Sequence, residues 1–184
     1  VAACYCASAQ IPDNCAGTNP FPGIPGINKG LPVTNDLQLQ TILLKITERI
    51  ARLERVFRFS EKFQEAGGKI FATNGKQVDF ETSKLTCEKA GGRIATPKNE
   101  VENKAILNII TERKLYAYLG IIRGKILNKF TYLDGTPIAY ANWSKSEPNG
   151  KGAENCVEIY TNGSWNDKGC NQNRLTICEF SVNH

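Results

Sequence analysis

Between Glu147 and Asp167 the chain gathers three carboxylates and two side-chain amides, as Glu147-Pro148-Asn149, then Glu154, then Asn166-Asp167. All five side chains offer oxygen. A Ca2+ ion takes six to eight oxygen ligands, and the set holds no soft donor that would favour a transition metal. In an extended segment Glu147 and Asn149 project to the same side, and a cis peptide at Pro148 would tighten their convergence. By composition alone the same residues also make an ordinary polar loop, so order and spacing must decide between the two. The one histidine, His184, is the last residue. This removes Ser-His-Asp and Cys-His catalysis and histidine-based zinc sites. Glu147 and Glu154 as the acid and base of a glycosidase would need different protonation states, whereas carboxylates committed to calcium are held ionised. The expectation is a binding protein, not an enzyme.

What positions these residues must come from 184 residues, room for one ordinary domain with smaller appendages. No apolar run approaches the ~20 residues of a membrane-spanning helix. The net charge of +5 is spread among acids, which gives no nucleic-acid footprint. Seven cysteines fall in two groups: Cys4, Cys6 and Cys15 in an irregular stretch, and Cys87, Cys156, Cys170 and Cys178 beyond it. The second group contains no Cys-x-x-Cys pair, so disulfides and an oxidising, extracellular compartment are expected. The odd count leaves Cys15 as a candidate for a bond to another chain. Ala7-Ser8-Ala9 has the form of a signal-peptidase site, so residues 1–9 read either as a signal-peptide remnant or as mature tail.

Residues 1–35 form a tail whose latter part, 10–35, is rich in Pro, Gly and Asn. The two Gly-X-Y triplets from Gly23 to Asn28 are too few for a collagen triple helix. From a cap at Thr34 or Asn35, Leu39, Leu43, Ile46, Ile50, Leu53 and Phe57 recur at the alternating spacing of a heptad seam. The pattern predicts a coiled-coil neck over 36–66 ended by Gly67-Gly68, in preference to a helix packed on its own domain. Lys69–Thr73 and Lys76–Val78 read as a hairpin turning at Asn74-Gly75. Asp79 caps a helix through Ala90, and Asn99 with Glu102 opens a second through Arg113. Ala117–Ile122 is a short apolar run among turn-rich loops, and two strands, Cys156–Tyr160 and Leu175–Phe180, finish the domain. The domain at 67–184 is therefore α+β, with two helices, short antiparallel strands and a long irregular loop.

At several independent points the chain resembles the C-type lectin family. Tyr118-Leu119-Gly120-Ile121 is similar to its core motif, with Tyr where Trp is commoner. Glu147-Pro148-Asn149 resembles its mannose-type sugar motif, and Trp165-Asn166-Asp167 its second calcium motif. Glu154 stands two residues before Cys156, as the family's bridging ligand does. With the heptad neck and the Gly-Pro triplets, the resemblance is nearest to the collectin group and its lung surfactant members, and it covers residues 69–180.

The resemblance implies that Glu147, Asn149, Glu154, Asn166 and Asp167 hold one Ca2+ and a sugar together. Carboxylates would accept from sugar hydroxyls and amide NH2 groups would donate to them, an order the family associates with mannose. Positions that carry acids at the family's auxiliary calcium site hold Arg123, Leu127, Gly150 and Asn155, so a second ion is not expected. The family pattern pairs Cys87 with Cys178 and Cys156 with Cys170. Implied partners are mannose-type glycans on microbial or host surfaces and two further copies of the chain in a trimer joined at the neck, secreted and serving innate immunity. The alternative is a lectin-like interaction protein for phospholipid or a protein partner. Asn142 and Asn162 begin glycosylation sequons; Asn142 precedes a Trp expected to be buried, which favours Asn162.

Overall fold

A computed structural model of the chain describes residues 33–125 and 129–182, with side chains from Asp36 onward. The expected signal remnant, the Gly-Pro triplets and Cys15 lie outside the described residues, as do Leu127 and His184. The chain divides into a unit ending at Thr41, described as the opening turns of a helix, and a unit from Ile42 onward.

The helix α1 is Val33–Phe59. Thr34 and Asn35 therefore lie in its first described turn rather than before it. Its seam residues Leu39, Leu43, Ile46, Ile50, Leu53 and Phe57 are 45% to 79% exposed. Its last turns do pack on the domain: Val56 is buried, Phe59 meets Phe180 edge-on at 5.9 Å, and Arg52 Nη1 donates to Ser181 O at 3.1 Å.

The helix stops earlier than the sequence predicts. Lys62–Ala66 is not helical but is strand β1, which pairs antiparallel with β2, Lys69–Val78. Gly67 and Gly68, with φ of 60° and 72°, make the turn between them, where only glycine sits without strain. The hairpin expected at Asn74-Gly75 is absent. β2 runs through those residues, which form a bulge against the last strand between Thr73 and Gln77.

Both predicted domain helices form. Asp79 caps α2, Phe80–Lys89, by accepting from Thr82 N at 2.8 Å. Asn99 caps α3, Glu100–Arg113, by accepting from Glu102 N at 2.9 Å. The remaining strands are β3 (Arg93–Ile94), β4 (Ala117–Arg123), β5 (Phe130–Tyr132), β6 (Cys156–Ile159), β7 (Trp165–Lys168) and β8 (Arg174–Ser181). They join in one sheet of order β1-β2-β8-β4-β6-β7, with β3 on β8 and β5 on β4. The β4–β8 contact is parallel, which makes the sheet mixed.

Strand alternation divides the apolar residues into two clusters. Ala117, Leu119 and Ile121 join α3 residues Ile106, Ile109 and Ile110 with Trp165. Tyr118 points to the other cluster, with Phe80, Ile94, Phe180 and the cysteines. There Cys87–Cys178 ties α2 to β8, and Cys156–Cys170 ties β6 to the segment after β7. Both disulfides match the expected pairing. Tyr118 also works as a polar post, its hydroxyl donating to Gly169 O (2.6 Å) and accepting from Gln172 N (3.1 Å). The sheet's far edge, β6 and β7, and the irregular run between β5 and β6 then carry every residue of the predicted site.

Candidate functional site

Asn166 and Asp167 lie in β7, a strand the sequence analysis left unassigned, in register with Glu158 and Val157 of β6. Trp165, fully buried, fixes the strand by donating from Nε1 to Asn103 Oδ1 of α3 at 2.8 Å. Asp167 is fully buried and is the post around which the loop turns. Its Oδ1 accepts from Asn149 N at 2.9 Å and its Oδ2 from Gly150 N at 3.0 Å.

The Glu147–Pro148 peptide is cis, and Asn149 Nδ2 donates to Glu147 Oε1 at 2.8 Å. Gly150 admits the remaining acid. A Cβ there would stand 2.5 Å from Glu154 Cβ, 2.7 Å from Glu154 Oε2 and 2.8 Å from Asp167 Oδ2. Four predicted residues, Glu147, Asn149, Glu154 and Asp167, thus converge. Asn166, next to Asp167 in the strand, is engaged with a different partner. Its Nδ2 donates to Glu158 Oε1 at 2.9 Å, and Arg174 Nε pairs with the other oxygen of Glu158.

The electrostatics of the loop centre on Glu147. Glu147 Oε2 is, among the described residues, the one buried side-chain nitrogen or oxygen without a hydrogen-bond partner. The Glu147 carboxyl is held above the usual glutamate range, first by burial, then by the neighbouring Asp167 carboxylate and more weakly by Glu154. An all-oxygen donor set with an unpaired carboxylate oxygen suits a hard divalent cation. Among the described residues, however, no three Asp, Glu, His or Cys side chains stand as a ready-made metal centre.

Two basic residues account for part of that difference. Arg123 Nη2 pairs with Asp167 Oδ2 at 2.6 Å, both side chains being buried. Its Nε and Nη2 donate to Glu154 O at 3.0 and 2.8 Å. Lys168 Nζ meets Glu154 Oε1 at 3.1 Å. By sequence Arg123 falls only among the auxiliary positions; in the fold it pairs with Asp167, one of the five expected ligands. Lys168, Glu158 and Arg174 were not singled out. Glu158 carries a readable signal, an acid between Val157 and Ile159 in a strand buried throughout, since a buried carboxylate needs a partner.

The sequons differ in their surroundings. Asn142, half-buried, donates from Nδ2 to Gly163 O at 2.8 Å. Asn162 is exposed, and its Oδ1 accepts from Ser164 N and Oγ at 3.0 and 2.7 Å.

A profile of the family described as Lectin C-type domain matches residues 76–180. Among solved structures, the carbohydrate-recognition domain of mouse scavenger receptor C-type lectin is 23% identical, with a TM-score of 0.61 over 67% of this chain and 97% of its own. The cow C-type carbohydrate-recognition domain of CD23, solved in the presence of a GlcNAc2Man3 oligosaccharide, is 24% identical, with a TM-score of 0.57 over 67% and 96%. A calcium-independent type II antifreeze protein is 20% identical, with a TM-score of 0.58 over 66% and 92%. At such identities the likeness is one of fold.

Proposed function

The chain belongs to the C-type lectin domain family, and from that premise we propose that it is a secreted lectin binding mannose-type glycans through one Ca2+. The observation that carries this reading is the convergence of Glu147, Glu154 and Asp167 around one loop, with Glu147 Oε2 buried and unpaired. Glu147, Asn149, Glu154, Asn166 and Asp167 are the residues that would hold the ion. When bound, calcium supplies coordination positions for two neighbouring sugar hydroxyls. The chain's own groups then read the hydroxyls. Glu147 and Glu154 accept hydrogen bonds from them. Asn149, exposed at the loop's edge, keeps one N–H to donate after giving the other to Glu147 Oε1. Asn166 has likewise committed one N–H, to Glu158. Binding, rather than catalysis, is the activity we assign.

Two further parts of the proposal rest on other observations. The exposed apolar seam of α1 supports self-association into a trimer. The two disulfides support an oxidising, extracellular setting, and among the described residues no helix is long and apolar enough to cross a membrane. A glycan array probed with the intact chain in calcium and in chelator tests the central claim. Mannose-type binding that disappears in chelator is expected. Glycan binding indifferent to chelator, or binding only to phospholipid vesicles or a protein, would move the assignment to the interaction-protein alternative.

A further inference from the structure

Of the three carboxylates Glu147, Glu154 and Asp167, two pair with cations of the chain itself, Asp167 with Arg123 and Glu154 with Lys168. The two are not alike. Lys168 is 38% exposed at its side chain and reaches one oxygen of Glu154. Arg123 is 6% exposed and paired with a carboxylate that is 0% exposed.

Arg123 is also built in from several sides. Its backbone N donates to Asn155 O at 2.9 Å, which fastens the end of β4 to the loop's exit. Its guanidinium lies over the Phe130 ring at 4.8 Å. Through Glu154 O and Asp167 Oδ2 it clamps the end of the loop to the same carboxylate that accepts from Asn149 N and Gly150 N at the loop's start. A buried ionised Asp167 without a positive partner would be strongly disfavoured. A guanidinium is the side chain whose planar fork serves two acceptors while staying charged.

We infer that Arg123 is a tethered cation that holds the 147–154 loop and Asp167 in their binding arrangement when no calcium is present. The loop of this chain is then preformed, and calcium binds to a site already shaped. The inference concerns the site of the proposed function but rests on the calcium reading only for the calcium arm of its test.

The test is trypsin cleavage of the intact chain at Lys151–Gly152, an exposed bond within the loop, followed by mass spectrometry in calcium and in chelator. Wild type should be cut at rates within roughly 3-fold of each other in the two conditions, since cleavage of a loop follows its open population. Arg123→Met keeps the length and removes the charge. It should be cut about 10-fold or more faster than wild type in chelator, its buried Asp167 being left uncompensated.

Arg123→Lys restores the charge without the fork or the flat face over Phe130, and its cleavage rate in chelator should fall between those of wild type and the methionine variant. Wild-type protection that exists only in calcium would overturn the inference. So would a methionine variant as protected as wild type, or a lysine variant as vulnerable as the methionine one, because packing rather than charge would then hold the loop. Should Arg123→Met fail to fold, refolding yields of the methionine and lysine variants in chelator read the same contrast. Calcium added to folded Arg123→Met should restore protection. If it does not while lysine still rescues, the calcium assignment fails and the tethered cation stands.

Discussion

At Glu147 and Asn149 the question is which hydroxyl geometry the site reads. A carboxylate accepts only, while an amide both accepts and donates, so exchanging the two reverses the order of donors and acceptors. Glu147→Gln with Asn149→Asp keeps charge and oxygen count. We expect mannose binding to fall, galactose binding to rise weakly, and calcium affinity to change little, as read by inhibition with free sugars and calcium titration. Asp167→Ala instead removes the buried post of the loop and should lower calcium affinity on the order of 100-fold and abolish all sugar binding together. Acidity tests the same residues. Because burial and then Asp167 raise the Glu147 carboxyl, protons compete with a cation for its oxygens above the ordinary glutamate range. The sign for the ion-free fold is opposite. A raised carboxyl pKa means the folded state holds the proton more tightly, a contribution present at low pH and lost as pH rises through the raised value. Calcium titration and near-ultraviolet dichroism from about pH 7 to about pH 5 should therefore show the ion leaving before the domain unfolds. Glu147→Gln should remove that step.

At the scale of elements, the loop is shaped by what Gly150 lacks. Its Cβ position is taken by Glu154 and Asp167 atoms, so Gly150→Ala must push the Glu154 side chain or the loop outward. Calcium affinity should drop about 10-fold, as for other supporting positions around a metal, with little change in thermal stability because the loop lies outside the core. The caps at Asp79 and Asn99 were legible because a cap is a local interaction between residues three apart. Lys62–Ala66 was not, because its residues favour a helix in isolation and only pairing with β2 makes them a strand. Both Asn74-Gly75 and Gly67-Gly68 carry turn chemistry. Which of them turns the chain is settled by β8, more than a hundred positions away in the pairing of Ala72 with Cys178. That Glu147, Asn149, Glu154 and Asp167 come together could be read from their order and the family resemblance, though not from residue types alone. Arg123's place among them could not, since β4 and β7 meet it only through the folded sheet.

For the whole molecule, a shallow sugar site gains from repetition. Linking sites on one rod raises avidity by roughly 100-fold or more without any new contact. If the exposed α1 seam joins chains, Ile46→Glu with Ile50→Glu should give a monomer in light scattering, with weak monovalent sugar binding kept and binding to mannose-coated surfaces lost. The two disulfides give such an assembly a mechanical property. A pull between the helix and a sugar-bound loop would first strip β1, β2 and α2, but it meets a covalent stop at Cys87. From there the bonded path crosses to Cys178, follows part of β8 back to Cys170, and crosses again to Cys156, beside the loop itself. α3, β4 and β5 lie off that path, between the two stops. Tension along the bonds would bypass them, so a chain hauled on through a bound glycan would lengthen at its entrance and leave β4 and β5 outside the bonded path.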